Sequence, residues 1–352
     1  LIPEGPKPSG IFFWRAKPIT LHRLPVSLEY DRKRSEMQLN VWIALGLMIA
    51  GSLTPPLLGL WLRPTLTRAI LADLRFPRIL YFLTMSGLGM AIRIHETGQA
   101  SAVDWAESGL EFLALLITLS YAAIFAIVTN NLEDLEADRI SNPDRPLVRG
   151  SVDKRSYLLA GVLSQALALG FALAFPLLWQ SGLEINLFWG ILGISVGYYV
   201  YSCRPLRLKR VPVIAKLIIG LNGWMVTVCG FALAGGAWSA FPWIWSVFIL
   251  VPLSLAANFI DLKDIAGDKS TGVATLPVLL GEQNARLLIA LATLGTYVMG
   301  GILLDVAWAY PLNFGAAALH LYLLYRKPYG EKLIFPLLLA SLSGLVIFLV
   351  WA

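Results

Sequence analysis

Charge is scarce in this 352-residue chain: Asp, Glu, Lys and Arg together make 14% of it, against 57% hydrophobic residues and a mean hydropathy of +0.69. A soluble domain carries roughly a quarter charged residues, so the shortage excludes an ordinary water-soluble globule and leaves a polytopic membrane protein. Cysteine is nearly absent. Cys203 at a helix end and Cys229 inside an apolar run supply neither a disulfide framework nor a thiolate metal cluster. Histidine is equally rare, and His22, His95 and His320 are scattered without zinc spacing. No signal-peptide pattern opens at Leu1, and the lack of an initiator methionine is what an incomplete or processed start would give. The formal charge of +6 comes from Lys and Arg in short loops between apolar runs, where membrane topology accounts for them, so no nucleic-acid partner is expected.

Long apolar runs are what the chain has in abundance. A bilayer core needs roughly 20 apolar residues per helix, and such runs recur at about 76–95, 109–130, 156–179, 184–201, 213–237, 240–260, 283–304, 307–325 and 332–352. The expected architecture is an all-α bundle of nine crossings over 75–352, preceded by an N-terminal extension, 1–74. Loops after the even-numbered runs hold Arg139, Arg145, Arg149, Lys154, Arg207, Lys209, Lys216, Lys263 and Lys332, whereas the opposite loops hold Glu96, Asp104, Glu107, Glu184 and Asp305. The positive-inside rule therefore puts the even loops in the cytoplasm. In the extension, 41–62 is apolar but interrupted by Pro55 and Pro56, and Arg15, Lys17, Arg23, Arg32, Lys33 and Arg34 precede it. A span there would place those cations outside, so a re-entrant or interfacial segment is the favoured reading. Phe12, Phe13 and Trp14 in the same extension suit docking on a membrane-protein partner.

The few acids are concentrated. Asn130 to Asp138 (NNLEDLEAD) follows the second run and Asp261 to Asp268 (DLKDIAGD) follows the sixth, both on the cytoplasmic side by parity. Asp134 with Asp138, and Asp264 with Asp268, stand four apart on one helix face, with Asp261 three before Asp264. Clustered carboxylates near lipid repel one another unless a cation lies among them, and hard oxygen donors select magnesium or calcium. Two such loops on one face point to a divalent-metal site for a diphosphate, with Arg145, Arg149, Arg207, Lys209 and Lys263 near enough in sequence to share the anionic charge. Diphosphate leaves readily from a carbon that stabilises a cation, as an allylic prenyl carbon does, and apolar helices would house the tail. The matched positions of the loops hint at parallel internal repeats.

The first segment with its tail, NNLEDLEADRISNPDRPLVRG, resembles the signature of the UbiA superfamily of intramembrane prenyltransferases; DLKDIAGDKSTGVATLPVLLG is similar to that family's second aspartate motif, and YSCRPLRLKR, from Tyr201 to Arg210, to its basic loop after the fourth helix. The resemblance implies a nine-helix bundle around a central cavity, Mg2+ held between the motifs, and transfer of a polyprenyl group from its diphosphate to an aromatic or lipid acceptor. By position it assigns Asp134, Asp138, Asp261, Asp264 and Asp268 as metal ligands. Asn130, Arg145, Arg207, Lys209 and Lys263 become diphosphate-binding groups, and Tyr201 a side chain in the catalytic cavity. Asn131 departs from the aspartate many members carry there, removing one negative charge. The rivals are esterification of a chlorophyll-type tetrapyrrole and a non-catalytic subunit of a membrane complex. A transporter is disfavoured because the acids lie at the ends of runs rather than deep within them. Glu133 and Glu136 lie off the aspartate face and are expected to be solvated. Gly220, Gly223 and Gly230 are expected to permit close helix packing.

Overall fold

The computed structural model describes residues 26–74, 76–98, 105–179, 184–327, 329 and 331–351. Phe12, Phe13, Trp14, Arg15, Lys17, Arg23 and Asp104 lie outside the described residues. Among those described, the chain is helical: α1 Val26–Leu62, α2 Pro64–Leu74, α3 Phe76–Thr97, α4 Trp105–Glu133, α5 Leu135–Ser141, α6 Lys154–Trp179, α7 Glu184–Ser202, α8 Pro212–Leu233, α9 Trp243–Ser254, α10 Ile265–Thr271, α11 Leu276–Leu304, α12 Ala309–Tyr325 and α13 Glu331–Trp351. Each of the nine apolar stretches is helical over most of its length. Among the described residues, six segments are long and apolar enough to cross a bilayer: Ser108–Glu133, Lys154–Ala174, Pro212–Leu233, Trp243–Lys263, Leu276–Leu304 and Lys332–Trp351. The protein is an integral membrane protein.

The extension differs from its sequence reading. Pro55 and Pro56 do not interrupt α1, which runs unbroken for 37 residues. A proline at position 56 removes the amide that Ser52 carbonyl would accept in a helix. The Tyr121 hydroxyl from α4 donates to that carbonyl instead, at 2.5 Å. Packing thus repairs the bond that the sequence deletes.

α8 is the hub, packing against α3, α7 and α9, while α3 also meets α13 and α4 pairs with α6. The α3 contact is a backbone crossing. A Cβ on Gly89 would lie 1.8 Å from the Thr227 carbonyl oxygen, and one on Gly230 would lie 1.8 Å from that of Ser86, so only glycine fits on either helix. Gly220 and Gly223 likewise face Ser254 and Leu253 of α9, as their expected role requires. Beside the main core are two smaller apolar clusters: Ala69, Val128, Leu135, Leu147 and Tyr157 under the first acidic segment, and Phe259, Leu262, Ala285, Ile289 and Leu324 under the second.

Candidate active site

Helix α4 stops at Asp134, whose φ of −95° and ψ of 5° leave the helical region before α5 resumes at Leu135. Hydrogen bonding continues across the break: the Asp134 amide donates to Asn130 carbonyl at 2.9 Å, and the Asp138 amide to Asp134 carbonyl at 2.8 Å. Asp134 and Asp138 nevertheless meet different partners. Lys209 Nζ lies 2.6 and 2.5 Å from the two Asp134 oxygens, and Arg207 Nη2 donates to Oδ1 at 2.9 Å. Lys209 and the Ser202 hydroxyl also donate to Asn130 Oδ1, at 3.1 and 3.0 Å. Arg207 itself has φ 41°, a left-handed conformation that costs energy for a residue with a Cβ and gathers at functional turns.

Asp138, only 6% exposed, accepts from Arg145 at 2.5 Å and Asn142 at 2.9 Å. Arg145 continues to Asn131 Oδ1 at 3.2 Å, and the Asn131 amide nitrogen donates to Asp73 of α2 at 3.1 Å and to the Tyr157 hydroxyl at 3.0 Å. Tyr157 in turn donates to the same Asp73 oxygen at 2.7 Å. The departure at Asn131 thus has a structural use. An amide both donates and accepts, so it links Arg145 to Asp73, which a carboxylate there would repel.

The second acidic segment follows a helix weakened by Pro252. Beyond Ser254 the chain tightens into a 3₁₀ stretch, Ala256–Lys263, before Asp264 heads α10. Asn258 Nδ2 donates to the carbonyls of Ser254 and Leu255 at 2.9 and 2.8 Å, closing the end of α9. On the outer side the Tyr329 hydroxyl holds Phe259 carbonyl at 2.5 Å. Lys216 Nζ, from the first turns of α8, lies 2.7 Å from Asp261 Oδ2. Its approach is not aligned as a hydrogen bond, so this buried oxygen lacks a directed donor. Asp268 accepts from the Thr275 hydroxyl at 3.2 Å. Burial raises its carboxyl above the usual range, and repulsion from Asp261 and Asp264 adds to that, against Thr275 and Lys216.

The cations assigned from sequence divide into two groups. Arg145 lies on Asp138, and Arg207 and Lys209 lie on Asp134, whereas Lys263 and Arg149 are exposed and Arg149 contacts Asp144. Lys216 reaches Asp261 through the turn from α7 to α8, a proximity that spacing along the chain does not reveal. Glu136 is exposed and paired with Arg139 at 2.8 Å, as a solvated charge should be, while Glu133 reaches Arg204 at 3.5 Å. Asp73, Tyr157, Ser202 and Lys216 are site residues that the sequence reading did not assign.

Among the described residues no three acidic, histidine or cysteine side chains are gathered to hold a metal, and Asp134, Asp138 and Asp261 are each engaged by a cation. The donor set still suits a hard divalent ion: carboxylate and amide oxygens only, with Asp261 Oδ2 lacking a directed partner. The buried Arg207 Nε, also without a hydrogen-bond partner, suits an anion.

Tyr201 links the two segments, lying within electrostatic reach of both Asp134 and Asp261. The segment after it does the same through ion pairs, Arg207 and Lys209 to Asp134 and Lys216 to Asp261.

Comparison with known proteins matches residues 97–349 to the model of the UbiA prenyltransferase family. Homogentisate phytyltransferase of Synechocystis sp. is 31% identical over 172 residues, covering 46% of this chain and 52% of that protein. The chloroplastic 2-acylphloroglucinol 4-prenyltransferase of Humulus lupulus is 36% identical over 186 residues, covering 51% and 43%. The chain thus spans about half the length of the curated relatives it matches. A UbiA homolog from Archaeoglobus fulgidus, solved bound to GPP and Mg2+, shares the fold with a TM-score of 0.61 at 20% identity, covering 81% of this chain and 100% of that one.

Proposed function

The chain belongs to the UbiA prenyltransferase family, and on that premise we propose that it moves a polyprenyl group from its diphosphate to an aromatic or lipid acceptor with Mg2+ as the metal. The supporting observation is the single basic segment, Arg207 to Lys216, that ion-pairs Asp134 on one side and Asp261 on the other. Without ligand, the cations neutralise the carboxylates. When the prenyl diphosphate enters, Arg145, Arg207, Lys209 and Lys216 turn to its oxygens, and Lys263 closes on it from the exposed side. Asp134, Asp138, Asp261, Asp264 and Asp268 would then be free to hold the metal, and Asn130 would join the groups on the diphosphate. Bound there, Mg2+ supplies Lewis-acid stabilisation of the leaving diphosphate. Tyr201 offers its ring face to the allylic cation, and the apolar helices keep water from it. The acceptor gives up a proton as its bond to the allylic carbon forms.

In this reading α3, α7 and α12 complete nine crossings around a shared chamber, and the acidic face is cytoplasmic, as loop charge requires. The exposed Trp42, Leu57 and Trp61 of α1 offer apolar surface to lipid or to a membrane-protein partner. The purified protein, given Mg2+, radiolabelled geranylgeranyl diphosphate and a panel of phenols and glycerol lipids, should label one acceptor class. Replacing both Asp134 and Asp264 with alanine should lower turnover on the order of a thousandfold. Unimpaired turnover in that double variant would overturn the assignment.

A further inference from the structure

One space in the bundle is lined by none of the ion-paired residues. A cavity of about 260 Å³ runs between α9, α11, α12 and α13, from Trp308 and Phe348 at one end to Ala256 and His320 at the other. Its lining extends along α11 from Thr293 to Leu304, roughly 16 Å at the helical rise. None of the aspartates of the acidic segments lines it, and neither does any other charged residue. A diphosphate head buried there would have no counter-charge, so the cavity suits only an uncharged guest.

The walls are mostly aliphatic and aromatic, with the half-buried Asn313 among them, yet two fully buried polar side chains in them, His320 and Thr293, have no hydrogen-bond partner. His320 is 3% exposed with neither ring nitrogen hydrogen-bonded, and Thr293 is 2% exposed with its hydroxyl unpaired. Three neighbouring hydroxyls are satisfied: Tyr297 shares a hydrogen bond with Ser341 at 3.0 Å, and the Thr296 hydroxyl donates to Ala292 carbonyl at 2.7 Å. The rings of Phe259 and Tyr297 meet His320 edge-on, with centroids 6.3 and 6.1 Å away, which fixes the imidazole plane. Buried polar atoms of this kind are unfavourable unless something brings them a partner.

We propose that this cavity binds a neutral lipid whose head carries a hydroxyl or carbonyl oxygen, held by His320 and Thr293, with its hydrocarbon tail lying along α11 and α12 toward Trp308. Imidazole and hydroxyl can each donate or accept, so either kind of oxygen is recognised. Isoprenoid alcohols and diacylglycerols of the bilayer share this chemistry. The site stands whether or not the transfer reaction does.

The test uses the full chain in detergent with a tritiated, diazirine-bearing geranylgeraniol, and maps the photolabel by mass spectrometry. Label should fall on lining residues such as Leu312 and Leu342, and His320→Phe with Thr293→Val should reduce it at least tenfold. Gly344→Leu is the independent variant: Gly344 lines the cavity and a Cβ there meets no heavy atom within 4 Å, so a leucine adds bulk at the cavity wall without a backbone clash, and labelling should fall in a monodisperse protein. Stronger competition by unlabelled geranylgeraniol than by dioleoylglycerol identifies an isoprenoid guest, and the reverse a bilayer lipid; both support the site. Labelling that Gly344→Leu leaves undiminished, or that geranylgeranyl diphosphate with Mg2+ displaces, would overturn it.

Discussion

Asp134 at the head of α5 and Asp264 at the head of α10 have nearly the same backbone angles, φ −95°, ψ 5° and φ −100°, ψ 6°, and each opens a seven-residue helix. Both frames place a further aspartate four positions on, whose amide donates to the heading aspartate's carbonyl at 2.8 Å. Their surroundings differ. The first segment is tied to α2, α6 and the α7–α8 turn through Asp73, Tyr157, Arg207 and Lys209, and Asp138 is buried. In the second, Lys263 and Asp264 are exposed, and Asp261 is held by an ion pair with Lys216. The same carboxylate spacing therefore sits in two surroundings, one with its second aspartate buried among cations and one with its heading aspartate exposed.

The contrast is sharpest at Asp138. Its replacement by alanine strands a largely buried Arg145, which should cost about 3 kcal/mol, seen as a lower Tm in detergent, whereas Asp264→Ala should stay within about 0.5 kcal/mol of the parent. Equal loss in both would erase the distinction. Next in size, Lys216→Met should raise KM for the prenyl diphosphate about tenfold, near 1.4 kcal/mol, with kcat less affected; Lys263→Met should change KM less. Tyr157→Phe should cost about 1 kcal/mol of stability by removing the hydroxyl that donates to Asp73 and accepts from Asn131, read by thermal unfolding.

The smallest effect concerns pH. Because the Asp268 carboxyl is raised by burial and by Asp261 and Asp264, it holds its proton above the ordinary carboxylate range. Folding favours the protonated form, so that contribution to stability is present below the unfolded value and is lost as pH rises through the folded one. Metal requires the ionised form, so Mg2+ binding should strengthen over the same rise. Asp268→Asn should flatten the dependence in a calorimetric titration; an unchanged slope would assign it elsewhere.

Much of this was legible beforehand where the signal was local. Apolar runs specify helices because a bilayer admits few alternatives, and the Asp spacing at 134/138 and 264/268 follows from the helical repeat. That α1 runs unbroken through Pro55 and Pro56 was not legible, because the Tyr121 hydroxyl that replaces the lost amide comes from another helix. Lys216 was read only as a loop cation for a related reason: Lys263 is adjacent in sequence to Asp264, while Lys216 meets Asp261 only because α8 crosses beside the end of α9.

By itself, the sequence determined a helical membrane protein with two acidic segments and a basic turn, since hydrophobicity and local spacing are properties of neighbouring residues; the family was legible only as a resemblance of those motifs. Tertiary structure alone decided which cation sits on which carboxylate, that Asp73 joins the first segment, and that His320 and Thr293 face one uncharged cavity. Those outcomes depend on how helices far apart in the chain cross, and close crossings such as that of α3 with α8 at Gly89 and Gly230 set that geometry through packing rather than through local order.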